Sequence, residues 1–233
     1  MKIIFLTSRQ AAEQATYLVS WLRNRGHIVS IMRDYITPES LSFYDIGISL
    51  GYRHIFKKTH IDALEGCLIN IHTGFLPHGR GAMPNVWAII DRTPAGVSIH
   101  FIDEGIDTGP IIAQSEVTVS ATDTGATLYR RLRVEASHLF MKVWPTLEGS
   151  TQILRSLQPP GEFTTHKSRD ISAVDDLDDY FGPIAKRMID VLRARTFPGH
   201  EAAYIRDDEG RRVFVRVELQ YEEETAALYR KSS

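Results

Sequence analysis

Asn70 and His72 stand two residues apart at the end of an apolar run, Cys67 to Ile71, and Asp107 follows His72 by 35 residues. Asp107 lies in the turn-rich segment Ile102-Asp103-Glu104-Gly105-Ile106-Asp107-Thr108-Gly109. Residues two apart in an extended chain point to the same side, so the amide and the imidazole share one face. At the carboxyl end of a parallel strand that face opens onto the crevice where ligands bind. An amide N–H can donate to an oxyanion, an imidazole can move a proton near neutrality, and a carboxylate can orient and charge the imidazole. Together these are the parts of an acyl-transfer site. Each residue also has a purely structural use. A histidine at a strand end can satisfy a local hydrogen bond, an Asp in a Gly-rich loop forms a turn, and an Asn caps a loop. Spacing alone leaves both readings open.

The surrounding pattern supplies a frame for such a site. Ile3 to Thr7 reads as a buried first strand, and Ala11 to Arg25 as a helix with apolar positions at Ala15, Leu18 and Leu22. Gly26 sits where a C-terminal capping glycine belongs. His27–Met32, Asp45–Leu50 and Cys67–Ile71 read as further strands. Strand–helix–strand order with short connections predicts an α/β protein with a Rossmann-like, doubly wound, mostly parallel sheet. A polar loop, Thr73–Pro84, leads to a short helix over Asn85–Ile90 and then to strands Gly96–Ile102 and Ile111–Val119. A long helix is expected from Thr122 towards Trp144, with Leu128, Leu132, Ala136, Leu139, Phe140 and Val143 as its apolar stripe. The texture changes near residue 150. The expectation is a catalytic domain over 1–150 and a small C-terminal region over 151–233. That region should carry a helix from Pro183 to Arg195, the breaker Phe197-Pro198-Gly199, and a hairpin around Asp207-Asp208-Glu209-Gly210. The last dozen residues read as a frayed tail.

Composition removes several function classes. The chain has 233 residues, 27 Lys+Arg against 29 Asp+Glu, and a formal net charge of -2, which does not suit a broadly nucleic-acid-binding surface. Residues 151–233 hold 13 basic and 15 acidic side chains, so no phosphate-neutralising tail is present. Cys67 is the single cysteine, which excludes an internal disulfide and a multi-cysteine metal site. The histidine pairs His54/His60 and His72/His78 lack metal-ligand spacing, so no metal is expected. No Gly-x-Gly-x-x-Gly follows the first strand, which argues against a nicotinamide dinucleotide. No apolar run reaches the ~18 residues of a membrane span and Met1–Leu6 is not a signal peptide, so a cytoplasmic protein without a membrane partner is expected.

The stretch Asn70-Ile-His72-Thr-Gly-Phe-Leu76-Pro77-His-Gly-Arg-Gly81, together with Gly96-Val-Ser-Ile-His100-Phe-Ile-Asp103-Glu-Gly105-Ile-Asp107-Thr108-Gly109, resembles the folate-dependent formyltransferases. Pro84-Asn85-Val86-Trp87-Ala88-Ile89 between them fits as well, and the resemblance covers about residues 1–150. It implies 10-formyltetrahydrofolate as co-substrate, an amine as acceptor, and Asn70, His72 and Asp107 as catalytic residues. It places the folate against His54, Ile55 and Phe56 and against Ile102, Asp103 and Glu104. Leu68 lies beneath and reads equally as pocket floor or as core. Where the family usually carries serine four residues after the Asn, this chain has Gly74.

Within the family the chain is most similar to the sugar N-formyltransferases. Ser49-Leu50-Gly51-Tyr52-Arg53, Asn85-Val86-Trp87 and the Asp103–Gly109 loop carry that likeness. It implies a dTDP-linked 4-amino-4,6-dideoxyhexose, such as dTDP-4-amino-4,6-dideoxyglucose, as acceptor, in the assembly of a cell-surface glycan such as lipopolysaccharide O-antigen. The alternatives are weaker. Methionyl-tRNA formyltransferases carry a basic tail, and glycinamide ribonucleotide formyltransferases a Gly-rich loop where this chain has Thr7-Ser8-Arg9-Gln10. A non-catalytic nucleotide-binding module would not need all of Asn70, His72 and Asp107. A diphosphate calls for cations at the cleft mouth, for which Arg9, Arg53 and Arg80 are candidates. Ser8 can add a hydroxyl, His78 and Asn85 can reach the sugar, and Tyr52 can stack on a base. The alternating hairpin Arg212–Val217 is expected to pack against a second chain in a homodimer.

Overall fold

A computed structural model describes residues 1–149, 155–196 and 198–220. Strand β1 (Lys2–Thr7) is followed by helix α1 (Ala12–Asn24), β2 (Ile28–Met32), α2 (Pro38–Leu41) and β3 (Ile46–Leu50). Then come α3 (Lys58–Ala63), β4 (Leu68–His72), the two-residue β5 (Arg80–Gly81), α4 (Pro84–Ile90), β6 (Gly96–Phe101) and β7 (Ile111–Glu116). The first unit closes with the long α5 (Gly125–Gly149) and β8 (Thr165–His166). The main sheet runs in the order β2-β1-β3-β4-β6-β7. β1 pairs in parallel with β2 and β3, and β3 with β4, while β6 pairs antiparallel with both β4 and β7. The sheet is thus doubly wound and parallel in its first four strands, with an antiparallel edge.

Alternation along the strands sorts side chains between two cores. Ile3 and Phe5 of β1, Ile69 and Ile71 of β4, and Val97, Ile99 and Phe101 of β6 join α1 and the apolar stripe of α5. Ile4, Leu6 and Leu68 point the other way and meet Ile36, Leu41 and Leu64. Each side chain fully buried in this way contributes roughly 1.5–3 kcal/mol relative to exposure. Asn70 and His72 therefore lie on the Leu68 face, as the spacing predicts. The antiparallel register sets Asn70 beside His100 and His72 beside Ser98. Four polar side chains of β4 and β6 thus form a patch on one side of the sheet.

The structure draws its division between Ser168 and Arg169, beyond the boundary expected near 150. The reason is pairing. β8 forms a parallel ladder with β5, matching Arg80 to Thr165 and Gly81 to His166, and Ser156 exchanges hydrogen bonds with Ile111. The long helix begins at Gly125 and ends at Gly149, later at both ends than expected.

The second unit holds short helices α6 (Ser172–Asp175) and α7 (Leu177–Phe181), helix α8 (Ile184–Arg195), and the antiparallel hairpin β9 (Ala203–Arg206) with β10 (Arg212–Val215). Asp207 ties the turn by accepting from the N–H groups of Glu209 and Arg211. Phe197 and the expected frayed tail lie outside the described residues.

Candidate active site

Three segments converge on a cavity of about 400 Å³ at the carboxyl ends of β3 and β4. β4 supplies Asn70 and His72, β6 supplies His100, and the loop after β6 supplies Asp107. His72 and His100 are almost fully buried, at 7% and 1% exposure, so the hydrogen bonds they make decide their chemistry.

His72 Nε2 lies 2.8 Å from the carbonyl oxygen of Gly79. A carbonyl only accepts, so Nε2 carries the hydrogen and the lone pair of the neutral ring is on Nδ1. Nδ1 faces Asp107 Oδ2 at 3.7 Å. Burial pushes the His72 pKa below the ordinary histidine value, against the pull of Asp107. His72 is therefore a neutral base at neutral pH.

Asp107 is held the other way. Burial alone would raise its pKa, but the imidazoles of His72 and His100 and the N–H of Gly81 outweigh it and keep the carboxyl well below the usual range. Gly81 N donates to Oδ2 at 2.8 Å and Asn70 Nδ2 donates to Oδ1 at 3.2 Å. The backbone at Asp107 is left-handed, with φ of 53°, an uncommon state for a side-chain-bearing residue.

His100 completes the constellation. Its Nδ1 lies 2.8 Å from Phe101 O, which fixes the hydrogen there and leaves Nε2 as acceptor. Asn70 Nδ2 donates to that Nε2 at 3.2 Å. Both amide hydrogens of Asn70 thus face partners within the site. Donation to a substrate oxygen requires release of one of them, and at 3.2 Å neither is tight.

Gly74 is required by this arrangement. A Cβ there would stand 2.5 Å from His72 Nε2 and 2.7 Å from Gly79 O, across the hydrogen bond that orients the imidazole. The serine usual in the family does not fit this backbone.

The rest of the cavity has two characters. One wall is apolar and aromatic: Tyr52 stacks on Phe56 with ring centroids 5.3 Å apart, His54 lies beside Tyr52, and Ile55 and Ile102 add aliphatic surface. The Tyr52 hydroxyl is spent on Asp34 O and Ile36 N, so its ring is what it offers a ligand. Asp103 also lines the cavity, while its Oδ1 accepts from Gly105 N and Thr108 Oγ1 and so shapes the loop. Flat rings on one side and loop backbone on the other suit a planar heterocycle such as a pterin. Among the described residues no cluster of His, Cys, Asp and Glu is arranged to hold a metal ion.

The other expected residues fall outside the cavity lining. Leu68 has 0% exposure and belongs to the second core. Glu104, Arg9 and Arg53 are exposed at its margin, and Ser8 is buried beneath Gly51. Arg80 directs Nε and Nη2 at Gln158 Oε1, at 3.1 and 2.6 Å, and stacks over Phe163. Asn85 donates to Gly125 O and ties α4 to α5. His78 is half-buried. Residues not expected also line the cavity. Gln14, Tyr129 and Arg133 reach the cavity from α1 and α5, and Arg133 is the one lysine or arginine among the described residues that line it.

Residues 40–144 match the Formyl transferase family and residues 184–221 the N-formyltransferase dimerization C-terminal domain. The chain is 32% identical to a dTDP-4-amino-4,6-dideoxyglucose formyltransferase of Mycobacterium tuberculosis over 81% of its own length and 79% of that protein. It superposes with a TM-score of 0.68 and 33% identity on a formyltransferase of Anoxybacillus kamchatkensis solved with UDP-4,6-dideoxy-4-formamido-L-AltNAc and tetrahydrofolate, covering 81% of this chain and 97% of that one. A 4-N formyltransferase from Francisella tularensis gives a TM-score of 0.66 at 27% identity, covering 94% and 98%. A buried Asn–His–Asp constellation beneath an aromatic wall, and relatives matched along most of both lengths, agree: the chain belongs to the folate-dependent formyltransferases, among the sugar N-formyltransferases.

Proposed function

We propose that this protein transfers the formyl group of 10-formyltetrahydrofolate to the amine of a nucleotide-linked 4-amino-4,6-dideoxyhexose, with the dTDP-linked sugar as first candidate. The observation that carries the reading is the protonation pattern: a neutral His72 whose Nδ1 lone pair faces an ionised Asp107 on the cavity floor. The folate supplies an electrophilic formyl carbon, and the chain supplies placement and proton transfer. His72 accepts a proton from the acceptor nitrogen at Nδ1. The imidazolium so formed keeps Nε2–H on Gly79 O and gains Asp107 as counter-ion. It then returns the proton to the departing folate nitrogen, leaving the ring neutral again. Asn70 turns one N–H towards the acyl oxygen as charge grows there.

A 4-amino-4,6-dideoxyhexose skeleton is common to the Mycobacterium relative and the Anoxybacillus structure, whereas the nucleotide differs. A mass-spectrometric assay with 10-formyltetrahydrofolate and dTDP- and UDP-linked 4-amino sugars tests the proposal. Formylation of the dTDP sugar supports it, and formylation of the UDP sugar alone moves the base. Gain only on glycinamide ribonucleotide or methionyl-tRNA, or on no acceptor, overturns it.

Arg133 is the cavity cation for a diphosphate. Its Nε is oriented by Gln14 Oε1 at 3.2 Å, and its anionic partner Glu13 is 92% exposed at 3.6 Å, which leaves the charge largely unneutralised. Arg133→Met is expected to raise KM for the sugar nucleotide by about 10-fold, one charge-assisted contact, with KM for folate nearly unchanged. Equal effects on both, or a larger effect from Arg9→Ala measured in parallel, would remove Arg133 from this role.

The second unit supports a homodimer. Ile184, Met188 and Val191 of α8 are 64%, 43% and 54% exposed and recur at helical spacing, so this face is apolar. Sedimentation equilibrium is expected to give twice the chain mass, and a monomer at micromolar concentration would refute this. Cytoplasmic location and a role in cell-surface glycan assembly belong to the same reading. The described helices include none long and apolar enough to cross a membrane.

A further inference from the structure

The stretch from residue 155 to 166 runs past both catalytic loops and bonds to each. It is anchored beside the Asp107 loop by Ser156, whose backbone exchanges hydrogen bonds of 2.7 and 2.8 Å with Ile111. Two residues on, Gln158 Nε2 donates to Asp107 O at 2.7 Å and to Gly109 O at 2.9 Å. These are the carbonyls on either side of Thr108, so one amide fixes the backbone at the left-handed Asp107. A residue in such a conformation persists where its surroundings over-determine it. The other end of the Gln158 amide accepts both Arg80 contacts, so the same side chain joins the Asp107 loop to β5.

The stretch then reaches the other loop. Gly79 N donates to Thr164 Oγ1 at 2.7 Å, and Arg80 N donates to Thr164 O at 3.0 Å. Gly79 is the residue whose carbonyl holds His72 Nε2. Its amide and its carbonyl are therefore pinned to Thr164 and to His72. β8 continues the contact, with Ala82 N donating to His166 O at 2.9 Å, and His166 stacks on Trp87 with ring centroids 3.7 Å apart.

We propose that residues 155–166 form a strap in which Gln158 positions Asp107 and Thr164, through Gly79, positions His72. Neither residue lines the cavity, so both act through another group. The strap explains why the first unit continues past α5: it bonds both to the loop that carries Asp107 and to the loop whose Gly79 carbonyl orients His72 on β4. An ångström of misplacement at such a site is enough to slow turnover by about 100-fold.

Two substitutions separate positioning from bulk stability. Thr164→Val removes the hydroxyl at nearly constant shape, and Thr164→Ser retains it. Gln158→Glu keeps an oxygen for Arg80 but loses both N–H donors to the Asp107 loop. The full-length variants are compared for kcat, for KM of both substrates and for thermal midpoint. The titration of His72 is followed by NMR of Cε1-labelled histidine, which needs no substrate. Thr164→Val and Gln158→Glu are expected to lower kcat by about 10- to 100-fold with KM within about threefold, and to move the His72 midpoint, while Thr164→Ser restores both. A wild-type midpoint and kcat in Thr164→Val and Gln158→Glu would overturn the proposal. So would a kcat loss that tracks the thermal midpoint and persists in Thr164→Ser. The kinetic arm rests on the formyl-transfer reading. Should the wild type transfer no formyl group, that reading fails alone, and the titration still decides the strap.

Discussion

His72→Asn is expected to reduce kcat by about 100- to 10,000-fold, the range associated with loss of a general base and acid, while the protein remains folded. The side chain is one of the few polar groups buried in the sheet, and it makes one hydrogen bond, to Gly79 O. Its Nδ1 is placed to both take and return a proton: Asp107 is ionised, and His100 has its Nδ1 on Phe101 O and its Nε2 against Asn70 Nδ2. The pH behaviour is equally specific. Burial lowers the His72 pKa, so its Cε1 resonance should titrate below about 6.5, and the base form survives into mildly acidic solution. The acid limb of kcat/KM should carry that free-enzyme midpoint together with the titration of the acceptor amine, whereas kcat follows His72 in the substrate complex. Stability carries the same signature. Between the folded pKa and about 6.5 the unfolded chain binds the His72 proton and the native state does not, so wild type loses stability as pH falls through that window. His72→Asn should flatten this dependence. A variant within tenfold of wild-type kcat, or a midpoint above 6.5, would remove His72 from proton transfer.

What the sequence made legible follows from local physics. Period-two alternation put Asn70 and His72 on one face, and apolar runs between helices located β1 to β4 close to their observed limits. The loop that carries Asp107 announced itself through Gly105 and Gly109. The antiparallel placement of β6 was not legible, because no local pattern states which strand will lie beside β4. That pairing is what brings His100 to Asn70. The cations show the same limit. Arg9, Arg53 and Arg80 lie near strand ends or in the loop, yet Arg80 is drawn to Gln158 and Phe163, and an arginine lining the cavity comes from α5. Arg133 lies on the same long helix as the apolar stripe, and its nearness to the cavity depends on how α5 crosses the sheet. Helix α2 has a start signal in Thr37-Pro38, with Thr37 Oγ1 accepting from Ser40 N, but its four residues are too few to show a helical period. The strap was invisible for a different reason. Gln158 and Thr164 sit in irregular chain, where no periodicity marks a residue whose partners lie 49 to 85 positions away.

Asp107→Asn is expected to cost as much as His72→Asn, although the replacement has nearly the same shape. The carboxylate uses both oxygens as acceptors: Oδ2 from Gly81 N, and Oδ1 from Asn70 Nδ2. An amide keeps one acceptor and turns the other position into a donor. With its oxygen on Gly81, its NH2 meets the N–H of Asn70 at about the same 3.2 Å that now separates donor from acceptor. With the amide reversed, the NH2 meets Gly81 N–H. Turning Asn70 over relieves the first conflict and sets its own oxygen against the lone pair of His100 Nε2. No orientation satisfies all three neighbours, so the geometry that faces His72 Nδ1 is lost together with the charge. The imidazolium then forms without a counter-ion, and burial acts on His72 against the Gly79 hydrogen bond but no longer against a carboxylate. Its titration should move further below about 6.5, and kcat should fall by about 100-fold or more. Acid stability provides an independent check of the charge. A carboxyl whose folded pKa is depressed stabilises the native state above about 3.8, and this is lost as pH falls through the folded value. The difference between the thermal midpoints of wild type and Asp107→Asn should therefore begin to shrink as pH falls below about 3.8 and go on shrinking down to the folded value. An upward shift of the His72 midpoint in the variant, or a kcat above about a tenth of wild type, would show that Asp107 neither charges nor orients the imidazole.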